Sequence, residues 1–278
     1  MPRVHANGID IEYESIGSAG DPVVLLIMGF ASALTTWPDS FCNGLAEKGF
    51  RVIRFDNRDI GRSTHLARLG APNLSAMIAK LESGEPVAAP YALEDMAADA
   101  VGLLTALGID RAHIAGASMG GMIAQLVAID HPAKAKSLIS MMSHAGRLDV
   151  AQPKPEAFAA IMSPPASPSR EDRIARGIAV WRVIGSPGFP TSDAELRAKV
   201  ERGVDYAPYD PAGLARQIAA AMAAPPRNDR LRTCELAATG LCGLEGPVGE
   251  GPAPTGVSTT SPDVGTAGPV AVSGIESA

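Results

Sequence analysis

Apolar and polar positions alternate over residues 9–16, which predicts a half-buried antiparallel strand. Val23 to Met28 is an unbroken apolar run, the pattern of a strand covered on both faces. Residues 39–48 read as a short helix ending at Gly49, and Arg51 to Phe55 as another short strand. Residues 92–107 predict an Ala-rich amphipathic helix, with Glu94 and Asp95 at the favourable end of its dipole. A strand follows over Ala112 to Ala115, then a helix over 119–130 stopped by Pro132, then a strand over Ser137 to Met142. Strands alternating with helices predict an α/β fold, a mostly parallel sheet with helices on both faces.

The pattern changes twice. Pro and Ser cluster over 153–169, then helical periodicity appears over 170–184, 193–203 and 211–223 with no strand between. Such an insertion between sheet strands is a natural helical lid. From about residue 234 periodicity fades. Residues 231–278 hold nine Gly, five Pro and six Thr, and no His, Lys, Phe, Trp or Tyr. That composition is near the level of low-complexity chains. Only Val270 to Val272 suggests a strand there. The expected division is a core over 1–149, a lid over 150–225 and an irregular tail over 226–278.

Composition narrows the function classes. A net charge of −6 without a Lys/Arg cluster argues against nucleic acid as a partner. Three cysteines, Cys42, Cys234 and Cys242, have neither metal spacing nor an even disulfide framework. No targeting pattern or membrane span is read, so the expectation is a soluble cytoplasmic protein. Nothing in the composition speaks to oligomeric state.

The chemistry concentrates in His113-Ile-Ala-Gly116-Ala-Ser118-Met119-Gly120, which contains G-x-S-x-G between a predicted strand and a predicted helix. A serine on so tight a turn is pushed clear of the sheet's C-terminal edge, where open α/β sheets bind ligands. Small residues two before and two after it let backbones approach closely. The Met119 N–H, at the helix start, points where an oxyanion would form. A second oxyanion donor is expected from the loop Met28-Gly29-Phe30, through the Phe30 N–H. The segment Asp56-Asn-Arg58-Asp-Ile-Gly61-Arg-Ser63 reads as a polar loop that pins its surroundings rather than doing chemistry.

The stretches LLIMGFASALTTWP, RVIRFDNRDIGRS, AADAVGLLTALGIDRAHIAGASMGGMIAQLVAIDHP and WRVIGSPGFP resemble the α/β-hydrolase superfamily, most of all its aclacinomycin methylesterase-like branch. The resemblance runs from about residue 3 to 233. It implies Ser118 as nucleophile, the Phe30 and Met119 amides as oxyanion hole, and a small-molecule carboxylic ester as substrate. It implies no metal and no cofactor. Met28-Gly29 stands where the wider superfamily carries a His-Gly pair.

The resemblance stops after Thr233. The superfamily continues with a strand ending in an acid and, further on, a Gly-His pair that carries the base. Here Cys234-Glu-Leu-Ala-Ala-Thr-Gly-Leu follows, and no histidine occurs after His144. His144 and Asp149, beyond the strand that should neighbour Ser118, are the candidate substitute base and acid. His5, His113 and His131 read as surface residues, and His65, following the Asp56–Ser63 loop, as an exposed residue or one near the site. The abrupt switch is what a frameshift in a GC-rich gene would produce, and the encoding DNA tests that. With the C-terminal strands missing, the strand over Ser137 to Met142 is expected to become an exposed edge. Three readings follow: a working serine esterase, an impaired relic that at most binds a small apolar ligand, and a cofactor-free perhydrolase built on the same elbow.

Overall fold

The computed structural model describes residues 1–146, 154–186, 188–234 and 236–241. Strands β1 (Arg3–Ala6) and β2 (Ile9–Ile16) form a hairpin. Its Asn7-Gly8 turn has φ of 49° and 76°, the left-handed pair that suits strand twist. β3 (Val23–Ile27), α1 (Asp39–Glu47), β4 (Arg51–Phe55) and α2 (Leu74–Glu82) follow. Then come α3 (Leu93–Ala106), β5 (Ala112–Ala117), α4 (Met119–Asp130) and β6 (Ala135–Met141). The sheet order is β1-β2-β4-β3-β5-β6-β7, with β7 at Ala237–Leu241. β1 and β2 are antiparallel to their neighbours and the remaining pairs are parallel.

All five residues of β3 are buried, because both faces of the sheet are covered. Val23, Leu25 and Ile27 pack with Met96, Leu103 and Ile123 of α3 and α4. Val24 and Leu26, on the alternate positions, pack with Trp37 and with Cys42 of α1. The uninterrupted apolar run is thus two half-cores interleaved at the strand period of two.

Between β6 and β7 lie α5 (Pro155–Met162), α6 (Arg170–Ile184), α7 (Asp193–Tyr206), α8 (Pro211–Ala223) and the short α9 (Asn228–Arg232). α5 was not legible as a helix, because it opens inside a Pro/Ser cluster. Pro155 sits at its first turn, where a missing N–H costs nothing. α6, α7 and α8 begin on Ser169, Ser192 and Asp210, whose side chains each accept a backbone N–H of the first turn.

Two expectations are corrected at the C-terminal side. β6 is not an edge, since β7 pairs with it in parallel from Ser137↔Ala237 to Met141↔Leu241. The tail is also not irregular from residue 226, as α9 and β7 fall within it. Ala-Ala-Thr-Gly-Leu carries little β preference of its own. It pairs because β6 offers a row of backbone donors and acceptors that sequence periodicity cannot display. Asp149, Val270–Val272 and the rest of 242–278 lie outside the described residues.

Candidate active site

Ser118 stands between β5 and α4 with φ 56° and ψ −124°, a strained conformation for a non-glycine residue. Its N–H donates to the Met141 carbonyl at 2.9 Å, and its own carbonyl accepts from Gly121 N at 2.9 Å. Its side chain is exposed, at the tip of the turn. The glycines make the turn possible. A Cβ on Gly116 would lie 2.0 Å from the Gly120 oxygen, and one on Gly120 would lie 2.2 Å from the Ile27 oxygen.

The loop after β3 touches this tip. A Cβ on Gly29 would come within 2.9 Å of the Ser118 Cβ and 3.4 Å of its Oγ. Only glycine allows that approach, which brings Phe30 beside the serine. Met119 opens α4, so its N–H has no intrahelical acceptor. Among the described residues, neither the Phe30 nor the Met119 amide donates to a protein acceptor. Both amides are therefore unengaged among the described residues.

Buried polar groups hold the loop. Asn57 Nδ2 donates to the Met28 carbonyl at 2.8 Å. Gln217 of α8 accepts from Ala31 N at 3.2 Å and donates to the Arg58 carbonyl at 2.8 Å. Ala31 has φ 57°, so the chain beside Phe30 is itself in the left-handed region. Asp56 accepts from Leu34 N (2.7 Å), Arg62 N (2.8 Å) and the Tyr206 hydroxyl (2.9 Å). Burial pushes its carboxyl above the ordinary range, opposed by those bonds. The Asp56–Ser63 segment therefore has the pinning role its polarity suggested. The sequence analysis missed Gln217, and its one signal is a lone amide within the Ala-rich helix Pro211–Ala223.

Arg216 and Asp59 are both fully buried, with Nε and Nη2 at 2.8 and 2.7 Å from the two carboxylate oxygens. Asp210 lies 3.5 Å from the same guanidinium and 2.7 Å from His65 Nδ1. Asp59, His65 and Asp210 bring three potential metal-ligating atoms within 4.8 Å of one another. Arg216 already supplies both acids with a fixed cation, so this cluster reads as an ion network tying α8 to the core. His65, read as exposed or near the site, is partly buried in that network.

No histidine lines the cavity at Ser118. His5 pairs with Asp10 on the exposed hairpin, His113 bonds Ser137 within the sheet, and His131 caps α4. His144, the candidate base, accepts from Gly146 N at 3.0 Å through Nδ1. In the neutral ring that leaves Nε2 as a donor, the wrong role for taking a serine proton. Burial, with the neighbouring Arg227 cation, lowers its pKa below the ordinary value. Among the described residues no hydrogen bond joins His144 to Ser118, and His144 does not line the cavity that Ser118 lines.

A cavity of about 490 Å³ opens over Ser118, roofed by α5, α6 and α7 and closed at one side by α8. Its walls are mostly apolar, including Ile161, Val180 and Trp181. No helix among the described residues is long and apolar enough to cross a membrane.

A family model described as the alpha/beta hydrolase fold matches residues 22–241. The rhodomycin D methylesterase DauP of Streptomyces sp. (strain C5) is 30% identical over 207 residues, 67% of this chain and 62% of that protein. The match to the rhodomycin D methylesterase DnrP of Streptomyces peucetius also covers 62% of that protein, at 29% identity over 67% of this chain. The chain thus spans less than two thirds of the length of these relatives. Among solved structures, an enol-lactonase from Burkholderia xenovorans LB400 superposes with TM-score 0.60 at 22% identity, over 86% of this chain and 80% of that one. A thermophilic esterase from Thermogutta terrifontis gives TM-score 0.59 at 25% identity, over 88% and 80%.

Proposed function

The chain belongs to the alpha/beta hydrolase fold family, and from that premise we propose that it acts on a small carboxylic ester through Ser118. The observation that carries this reading is the contact between Gly29 and the strained, exposed Ser118. That close approach supports a reading in which the Phe30 and Met119 amides flank the Ser118 hydroxyl. Hydroxide takes the Ser118 Oγ proton as Oγ attacks the ester carbonyl, and the water so formed returns a proton to the departing alkoxide. The Phe30 and Met119 amides hold the oxyanion, and collapse expels the alcohol to leave an acyl-serine that water hydrolyses. The chemistry asks for no metal or cofactor. Residues 1–149 form the catalytic core in this reading and 150–225 the cap that shapes the pocket, while Ala237–Leu241 beyond them returns to the sheet as β7. The two relatives named as methylesterases make a methyl ester a fitting candidate bond. A cytoplasmic site of action follows the sequence expectation.

A second reading, a catalytically impaired member that keeps the pocket, is favoured by one observation. None of the chain's five histidines lies at the cavity. A fluorophosphonate probe and a nitrophenyl ester assay separate the two. Labelling and turnover that both vanish in Ser118→Ala support the esterase. A folded protein with neither supports the impaired reading.

A further inference from the structure

The cations of α6 and α7 divide into two sets. Arg170 pairs with Asp205, Arg182 with Asp193, Arg197 with Glu201, and Arg202 with Asp39. The other three, Arg173, Arg176 and Lys199, have no carboxylate partner among the described residues, and all three line the cavity over Ser118. Every paired cation on these helices lies off the cavity and every unpaired one lies on it. A half-buried cation in an apolar wall is costly unless something compensates it.

The two arginines are partly compensated within the fold. Arg173 donates to the Val204 and Ala207 carbonyls at the end of α7, and Arg176 to the Ser163 and Ile161 carbonyls at the end of α5. Helix C-terminal carbonyls are good partners for a cation. Among the described residues Arg176 Nη1 has no hydrogen-bond acceptor. Lys199 has no hydrogen-bond acceptor among the described residues, and its Nζ sits 3.3 Å above the centre of the Trp181 ring. Burial, reinforced by Arg202, lowers its pKa. The acids that line the same cavity, Asp59 and Asp210, already face Arg216.

We propose that the cavity takes esters carrying a free carboxylate at the end remote from the scissile bond, with Lys199 and Arg176 holding that carboxylate. The apolar walls accept the methylene chain between the two ends. The ligand class is the half-ester of a dicarboxylic acid. This rests on Ser118 as the reacting residue, but the binding itself does not need the reaction.

The test is calorimetric binding to Ser118→Ala protein, comparing monomethyl adipate with dimethyl adipate. A charge-assisted hydrogen bond corresponds to about tenfold or more in affinity, so the half-ester is expected to bind at least tenfold tighter. Lys199→Met keeps the aliphatic stem over Trp181 and should erase most of that preference, while Lys199→Arg should retain it. Arg176→Met serves as the second variant, with circular dichroism checking the end of α5. Equal affinity for the two esters, no binding of either, or a preference unchanged in both Met variants overturns the proposal. A preserved preference in a protein that fluorophosphonate never labels would overturn the reading of Ser118 instead.

Discussion

Replacing Gln217 with leucine isolates the tie between α8 and the loop that carries the Phe30 amide. Gln217 is fully buried. Its side chain accepts from Ala31 N at 3.2 Å and donates to the Arg58 carbonyl at 2.8 Å. Leucine matches it in size but leaves both backbone groups without partners. Each stranded group costs about 1–3 kcal/mol, so a loss of about 2–6 kcal/mol in stability is expected. For a chain of this size that lowers the melting temperature by several degrees. The functional cost arises because Ala31 holds φ at 57° only under constraint. Released, it relaxes and carries Phe30 away from Ser118. Losing an oxyanion donor outright costs about 10²–10³ in rate, which is the upper bound here. The assay is the second-order rate of Ser118 labelling by a fluorophosphonate, measured well below the melt. Gln217→Glu keeps an acceptor for Ala31 N, so it should retain most of the labelling rate while losing stability at the Arg58 carbonyl. A folded Gln217→Leu protein that labels at the wild-type rate would refute the coupling between cap and oxyanion loop.

Gly116→Ala should prevent the elbow from forming. Its Cβ would lie 2.0 Å from a backbone oxygen, so the cost exceeds the ~1–3 kcal/mol of ordinary overpacking, and chemical denaturation should show a protein barely folded or unfolded. Arg216→Met leaves the fully buried Asp59 carboxylate uncompensated, a loss of about 3–5 kcal/mol. Adding Asp59→Leu should recover most of it, and a double mutant no more stable than the single would contradict the pairing. The rate of ester cleavage should rise with pH. His144 has a lowered pKa, so it is already neutral at pH 7 and its titration adds nothing above that. With no histidine at the cavity, hydroxide is expected to take the serine proton, and log rate should climb with a slope near one. A profile that flattens above about pH 7, together with a large loss in His144→Ala, would establish His144 as the base.

How far the site could be read in advance follows from how local each signal is. The elbow is legible because strand, Gly116-x-Ser118-x-Gly120 and helix are consecutive, and the steric demand on Gly116 comes from Gly120 and Gly121 close by, although that on Gly120 comes from Ile27 and Met28 at the end of the neighbouring strand. Gly29 is legible for a related reason: β3 and β5 are neighbouring parallel strands, with Ile27 opposite Gly116. Element order alone therefore brings the loop after one to the tip of the other. Gln217 acts on a backbone amide 186 positions away and Arg216 on a carboxylate 157 positions away. Neither has a periodicity or a spacing that would reveal its partner. His65 looks like a surface residue because it follows the polar run Arg62-Ser63-Thr64, and only the fold brings Asp210 to it. The cavity cations show the same limit from the other side. Arg173 and Arg176 fall three apart on a helix that also carries Arg170 and Arg182, so by sequence all four look alike. What separates them is where acids from α7 fall, and α7 comes into register only when α6 packs against it. A feature that depends on a missing partner is legible only once every element that could supply one has been placed. That is why the unpaired charge over Ser118 is a property of the packed cap and not of any segment within it.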